Sequence, residues 1–363
     1  MALQQALLPL ALPPLDIPRG CPVPPTWPPP AGWWEAIVVA FSGGIDSQAM
    51  LLDAVRTYPK DRILAVFNDT GDDHDGGNRL VDWAGTLAFV RQECEALGLP
   101  LVVTSGPADL LEYTEHRGMW ADSKNRYCTS DLKRSPTDKV LRNLIIDLAE
   151  YRQRWSSPAV RLCTDRTKTR PTDRALRHLD AKRILLLTGE LAEESPARAK
   201  KPEWQLRAGA LAPTKGRLVV WHRPQLHWSK EDEILFIWSQ GRDIAPTYYA
   251  GWDRLSCRFC FFLTFERQVL SFVGYPETAA QFTDTEERIG HRVSLNYKFD
   301  GHSGYRAIWE FTYGPWCGIP AVAPAPLPRA LTVVERLRGQ ARAILDGLAQ
   351  GERRQFKRCG GCA

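Results

Sequence analysis

No stretch of this 363-residue chain approaches the roughly 20 consecutive apolar residues that a membrane-crossing helix needs, which excludes a helical span. The short apolar start, Leu7 to Leu12, is broken by Pro9, is closed by Pro13 and Pro14, and has no basic segment before it. It therefore makes a poor secretory signal, and the cytoplasm is the expected compartment. Charge of one sign is not dominant either: 47 Lys and Arg stand against 42 Asp and Glu. The net charge of +5 permits an anionic partner without demanding one. Nine cysteines, odd in number and unevenly spaced, do not describe a disulfide framework. In a reducing compartment such thiols point to metal or redox chemistry. No internal repeat is visible. With 44% hydrophobic and 25% charged residues the chain is globular in composition, and its length suits one large or two modest domains.

Ten of the 27 prolines fall within residues 1–34, a composition that favours extended polyproline geometry over helix or central strand. This segment reads as an arm, either a loose leader or a strap packed on the core or on a partner. From Trp34 the pattern changes. Ala36 to Phe41 is a short apolar run, followed by a small-residue turn and a helical pattern through Met50, Leu51, Leu52, Ala54 and Val55. Arg62 to Phe67, Leu99 to Val103 and Ile184 to Leu187 are further strand candidates, and Arg79 to Leu97 is amphipathic. Strands alternating with helices predict an α/β fold with a doubly wound parallel sheet, whose ligands gather beyond the carboxyl ends of the strands. The expected division is an arm (1–34), a nucleotide-binding α/β domain (35–240) and a smaller C-terminal region (241–363). The last of these carries a Pro/Ala linker from Pro320 to Pro328 and a helix from about Ala330 to Leu348. Arg152 to Arg183 holds ten Lys or Arg against three Asp; it is either a solvated helical excursion or a surface that tracks phosphates.

Ser42-Gly43-Gly44-Ile45-Asp46-Ser47 joins a buried strand to a helix. Glycines allow close backbone approach, amides at a helix start supply donors, and two serines add hydroxyls, so phosphate is the natural guest. It is neither a Walker A loop nor a GxGxxG turn. This segment resembles the PP-loop of the ATP pyrophosphatase superfamily. Asn68 to Asp72 looks like the DTG segment of phosphoadenosine phosphosulfate (PAPS) reductases and their relatives, and Tyr127 to Pro136, with Lys133, resembles that family's Cys-containing LKxxP segment. Thr188 to Arg198 resembles its GxRxxESxxR, although Leu191 stands where the family usually has Arg. Pro224 to Asp232 resembles its PxxxW[ST], and Gly241 to Cys260 its PxYxxG…CxxC close.

The resemblance implies an adenine nucleotide alpha hydrolase-like fold and an ATP site built from Ser42, Gly43, Gly44, Asp46, Ser47, Asp69, Thr70, Gly71, Gly189, Glu194 and Ser195. It also implies phosphate-stabilising cations at Lys133 and Arg198, and Mg²⁺ at Asp46 or Asp69. The complete SGGxDS loop and an ending, Arg358 to Ala363, unlike the ECG[IL]H tail of sulfonucleotide reductases favour ATP use. The expected reaction is cleavage of ATP to AMP and pyrophosphate coupled to sulfur transfer, as in the DndC-like proteins of DNA phosphorothioation or in tRNA thiolation. Nucleic acid is then the acceptor, and a protein such as a cysteine desulfurase the sulfur donor. The alternatives are a thiol-dependent PAPS or adenylylsulfate reductase, and a non-catalytic nucleotide-sensing or DNA-binding module of a multiprotein complex.

Cys257 and Cys260 offer two soft thiolates from one turn, a donor type that selects zinc or iron-sulfur clusters. The resemblance adds Cys128 as third ligand and a [4Fe-4S] cluster, with Zn²⁺ or no metal as the alternatives; the fourth ligand is Cys163, Cys317 or none. Cys359 and Cys362 form a second pair whose role the sequence leaves open: sulfur relay, auxiliary ligands or an incidental end. His222 and His227 read as packed histidines.

Overall fold

The structure, a computed structural model, describes residues 15–69, 83, 85–105, 110–120, 181–208, 210–255, 257–260 and 263–359. A six-stranded sheet forms its centre, with strands β1 (Ala36–Ala40), β2 (Ile63–Asp69), β3 (Leu101–Ser105), β4 (Arg183–Leu187), β5 (Trp204–Leu206) and β6 (Leu218–His222). Their order is β3-β2-β1-β4-β6-β5, and every neighbouring pair is parallel except β5 with β6. The α/β class with a mostly parallel sheet is thus the observed one. Ile37 and Val39 point to one face and Val38 to the other, and all three are buried; β4 and β6 do the same with Leu185 and Leu187 against Ile184 and Leu186, and Leu218 and Val220 against Val219. Burial on both faces is why β1 and β4 read as unbroken apolar runs.

Helix α1 (Ile45–Thr57) and helix α2 (Thr86–Leu97) cover the first face through Met50, Leu51, Ala54, Leu87 and Val90. The other helices among the described residues are α3 (Leu110–Arg117), the short α4 (Pro196–Ala199), α5 (Lys230–Ser239), the short α6 (Pro246–Tyr249), α7 (Phe265–Gly274), α8 (Pro276–Ile289), α9 (Tyr305–Tyr313) and the long α10 (Pro328–Cys359). Helices α7 to α10 enclose a second core dominated by rings, including Phe259, Phe272, Phe282, Tyr305 and Trp309. Ala330, Val334 and Leu337 of α10 recur at helical spacing and face that core. A third cluster joins α1 to α5, α6 and α10 through Ile45, Ala49, Ile234, Ile237, Tyr248 and Leu345, so residues on both sides of position 240 share one apolar contact region.

From residue 15 onward the Pro-rich arm is a strap on the sheet core rather than a loose leader. Trp34 is fully buried, Cys21 is buried with its thiol on the Arg217 carbonyl, and Trp27 meets Trp204 edge-on at 5.5 Å. Arg62 Nη1 fastens the end of the strap by donating to the Gly32 and Trp34 carbonyls at 2.7 and 2.6 Å. No helix among the described residues is long and apolar enough to cross a membrane.

Candidate functional site

Strand order reverses beside β1: the chain runs outward through β2 and β3, then returns to pair β4 on the other side of β1. Such a switch point leaves a crevice beyond the carboxyl ends of the two strands. Two of the motif loops meet there. Ser42–Gly44 follows β1, and the loop from Thr188 follows β4. They approach so closely that a Cβ on Gly189 would lie 2.6 Å from the Asp46 carbonyl oxygen, which is why only glycine fits.

Within the first loop, Gly43 takes φ +78°, open to glycine at little cost, and a Cβ there would press on Leu255 and Val90 at 3.2 Å. The loop is then tied by its serines. The Ser42 amide donates to Ser47 Oγ at 3.2 Å, the two hydroxyl oxygens lie 3.2 Å apart, and Ser47 Oγ donates to the Gly44 carbonyl at 2.9 Å. Gly44 offers α1 no side-chain cap, and the Ile45 amide goes instead to the Tyr248 hydroxyl at 3.1 Å. The same buried hydroxyl accepts the Leu255 amide at 3.2 Å, so one phenol clasps the start of α1 to the segment that leads into the CxxC turn.

Charge is concentrated around Asp46. Its carboxylate is ion-paired with Lys230 Nζ, and Lys230 also meets Glu233 Oε2 at 3.1 Å. The Lys230 amide donates to Glu193 Oε1 at 3.0 Å, which couples the start of α5 to the β4 loop. Ser229 and Asp232 close the α5 N-terminus as a reciprocal cap, the Asp232 amide donating to Ser229 Oγ and the Ser229 amide to Asp232 Oδ2. Burial pushes the Glu233 carboxyl up to about 7, Lys230 opposing, and Glu193 and Asp232 adding to the rise. Burial also lowers Lys230, with Glu233 opposing and the exposed Arg254 adding to the fall.

Arg198 pairs with Glu194 one turn earlier, and Ser195 caps α4 by accepting the Arg198 amide at 3.2 Å. Burial lowers the Arg198 pKa, Glu190 opposes the shift and Arg254 adds to it. Arg198, Arg254 and Lys230 therefore share one electrostatic neighbourhood. Behind them the buried Arg223 lies 3.8 Å over the Trp221 ring with its Nε 3.4 Å from Glu190, and the Trp221 indole donates to Thr188 Oγ1 at 2.5 Å. Leu191, at the position where an arginine was expected, is fully buried.

The crevice thus brings together Ser42, Gly43, Gly44, Asp46, Ser47, Gly189, Glu194, Ser195 and Arg198. Thr70, Gly71, Cys128 and Lys133 lie outside the described residues, as do Cys163, Cys362, most of the basic stretch 152–183, and the side chains of Asp69 and Cys359. Cys257 and Cys260 are partly buried against the aromatic core, with the Cys260 amide donating to the Cys257 carbonyl at 3.3 Å, and Cys317 is exposed. Among the described residues no three His, Cys, Asp or Glu are grouped so as to hold a metal. His222 is packed as expected, stacked on Trp204 at 3.6 Å and bonded to Glu203, but His227 is exposed. Lys230 and the pairing role of Tyr248 were not anticipated. The available signal for Lys230 was its place immediately after Trp228-Ser229, at the start of a capped helix.

Residues 111–261 match the family model described as phosphoadenosine phosphosulfate reductase domain. That segment, less than half of the chain, is similar to the PAPS reductase domain. That match embraces the segments at 127–136, 188–198, 224–232 and 241–260, whereas the Ser42–Ser47 loop precedes it. An uncharacterized 37.8 kDa protein of the gpa 5′ region of Escherichia phage 186 is 31% identical over 106 residues, 29% of this chain and 30% of that protein. The chain thus spans less than a third of the length of that relative. Among solved structures, the PAPS reductase of Candida auris in a phosphate complex is similar at 17% identity and TM-score 0.34, over 61% of this chain and 80% of that one. The FMN adenylyltransferase of Candida glabrata with FAD and pyrophosphate is similar at 12% identity and TM-score 0.34, over 61% and 55%.

Proposed function

We propose that this protein is an adenine-nucleotide-dependent enzyme of sulfur chemistry that splits ATP into AMP and pyrophosphate and uses the activation to place sulfur on a nucleic-acid acceptor. The observation that carries the reading is the Ser42–Ser47 loop: a glycine at positive φ, two mutually bonded serines and a helix start, all at the switch point between β1 and β4. Backbone amides there orient phosphate oxygens, and Arg198 and Lys230 neutralise the charge that builds up as pyrophosphate departs. An acceptor oxygen is a poor leaving group until AMP is joined to it, after which a sulfur nucleophile displaces it.

A magnesium ion would supply further neutralisation of the phosphates, with Asp46 as the oxygen donor present; the Lys230 ammonium already holds that carboxylate, so an ion there has to displace it. For a cluster or zinc, the described donors are the two thiols of Cys257 and Cys260, short of the three or four such sites use, and no step is derived through one. The family description favours a second reading, a thiol-dependent sulfonucleotide reductase. Two assays on the full chain separate them: release of pyrophosphate from ATP with and without DNA or tRNA, and release of sulfite from PAPS with a dithiol. Pyrophosphate release supports the first reading, sulfite without it supports the second, and ATP binding without either supports a nucleotide-sensing module.

A further inference from the structure

Lys230 is the first residue of α5 and is gripped from three sides: its Nζ by Asp46 and by Glu233 Oε2, its amide by Glu193. An exposed lysine beside a carboxylate is ordinary and worth little. Here the Glu233 side chain is fully buried, so Nζ is anchored from the protein interior while Asp46 holds it from the loop side. The helix that carries it is fixed by the Ser229 and Asp232 cap. An ammonium has three donors, and Asp46 and Glu233 take two. Two carboxylates sharing one cation at the mouth of a phosphate loop cannot all keep their partners when more negative charge arrives.

We propose that Lys230 is the exchangeable cation of this site: without ligand it neutralises Asp46, and when the phosphoanhydride of an adenine nucleotide enters, Nζ donates to a phosphate oxygen while Glu233 keeps it aimed. This assignment rests on the nucleotide function proposed above and deepens it. The shared chemistry is an anionic acid anhydride on a phosphate, carried by ATP as the phosphoanhydride of its triphosphate and by PAPS as the mixed phosphoric–sulfuric anhydride of its phosphosulfate.

The test is calorimetric binding to the full chain with inorganic pyrophosphate in metal-free buffer, ATP and PAPS as separate arms. Lys230→Gln is expected to weaken pyrophosphate and its true nucleotide about ten- to a hundredfold, the range for losing a charge-assisted hydrogen bond, while Lys230→Arg keeps most of the affinity. Asp46→Asn with Lys230 intact is expected to bind metal-free pyrophosphate several-fold tighter, because the competing carboxylate has gone. If Lys230→Gln does not fold, as judged by circular dichroism, the Asp46→Asn arm decides alone. Unchanged affinity in Lys230→Gln, or weaker or equal metal-free binding in Asp46→Asn, overturns the exchange and leaves the nucleotide function standing. A wild-type chain that binds none of the three ligands overturns both. The nucleotide losing more affinity in Lys230→Gln identifies which anhydride the site takes.

Discussion

Within Ser42–Ser47 every side chain but the buried Ile45 is small or charged, the backbone supplies donors, and opposite charges are paired within reach of solvent; Asp46 and Lys230 are each about a quarter to a third exposed. Around Cys257–Cys260 the neighbours are rings: Phe259 stacks on Phe282 at 4.6 Å, Arg258 lies 4.1 Å over Tyr275, and the carbonyls of the turn are bonded by Gln268, Ser271 and Tyr305. A polar site of the first kind gives way to a ligand by exchanging partners. A thiol pair set in close-packed aromatics keeps its place with or without one. The two regions adjoin through Tyr248 and Leu255, so the contrast can be tested by asking whether damage on one side is felt on the other.

The largest effect is expected at the joint. Tyr248→Phe leaves the Ile45 and Leu255 amides without the hydroxyl they share, at about 1–3 kcal/mol for each buried amide. Denaturant titration should show that loss, and nucleotide affinity should fall with it. A variant as stable as wild type that binds nucleotide normally breaks the idea that this phenol couples the regions.

Gly189→Ala acts on the loop side alone. Its Cβ meets backbone of Asp46 rather than the tip of a flexible side chain, so either α1 or the β4 loop must move, at about 1–3 kcal/mol. Binding of nucleotide should be lost before the fold is, while the reactivity of Cys257 and Cys260 toward a thiol reagent stays as it was. Equal loss on both sides would make the two regions one cooperative unit.

A smaller effect belongs to pH. Glu233 in the folded chain protonates near 7 against 4.5 for an unperturbed carboxyl, so between those values the folded state binds more protons than the unfolded one. Stability then declines as pH rises through that window, by about 3 kcal/mol at roughly 1.36 kcal/mol per pH unit, and the penalty is absent below it. Glu233→Gln should flatten the dependence of the thermal midpoint between pH 4.5 and 7. A curve as steep as wild type assigns the titration elsewhere.

How much of this was legible follows the same divide between local and long-range causes. Strands β1, β2 and β4 announced themselves because burial on both faces demands unbroken apolar runs, the edge strand β3 did so as a short apolar run although its Val102 is exposed, and Ser42–Ser47 stood out because two glycines and two serines fall in one short span. Strand β6 did not, since its end carries His222 and is followed by Arg223; both are buried only because Trp204, Glu203, Trp221 and Glu190 compensate them from elsewhere. The pairing of Lys230 with Asp46 was likewise invisible, for the two are 184 residues apart and meet only once α5 packs on α1. Gly251 stood out as a motif residue, but its reason is tertiary: at φ +106° a Cβ would lie 3.1 Å from the Arg338 amide of α10.

The smallest expected change sharpens the comparison most. Cys257→Ser and Cys260→Ser replace a sulfur by the smaller, more polar oxygen at positions already partly exposed, so the aromatic core around them should lose little. The loop is held by its own serines, by Gly189 and by Tyr248, none of which uses a thiol. Nucleotide affinity in both variants should therefore stay within about twofold of wild type, a difference below 0.5 kcal/mol at RT near 0.59 kcal/mol. If these thiols serve sulfur chemistry, product formation should vanish in the same samples, along with any iron, sulfide or zinc that wild type retains after anaerobic purification. Affinity that falls tenfold would mean the thiol turn supports the Ser42–Ser47 loop through Leu255. Product formed at the wild-type rate would leave Cys257 and Cys260 as packing residues of the aromatic core.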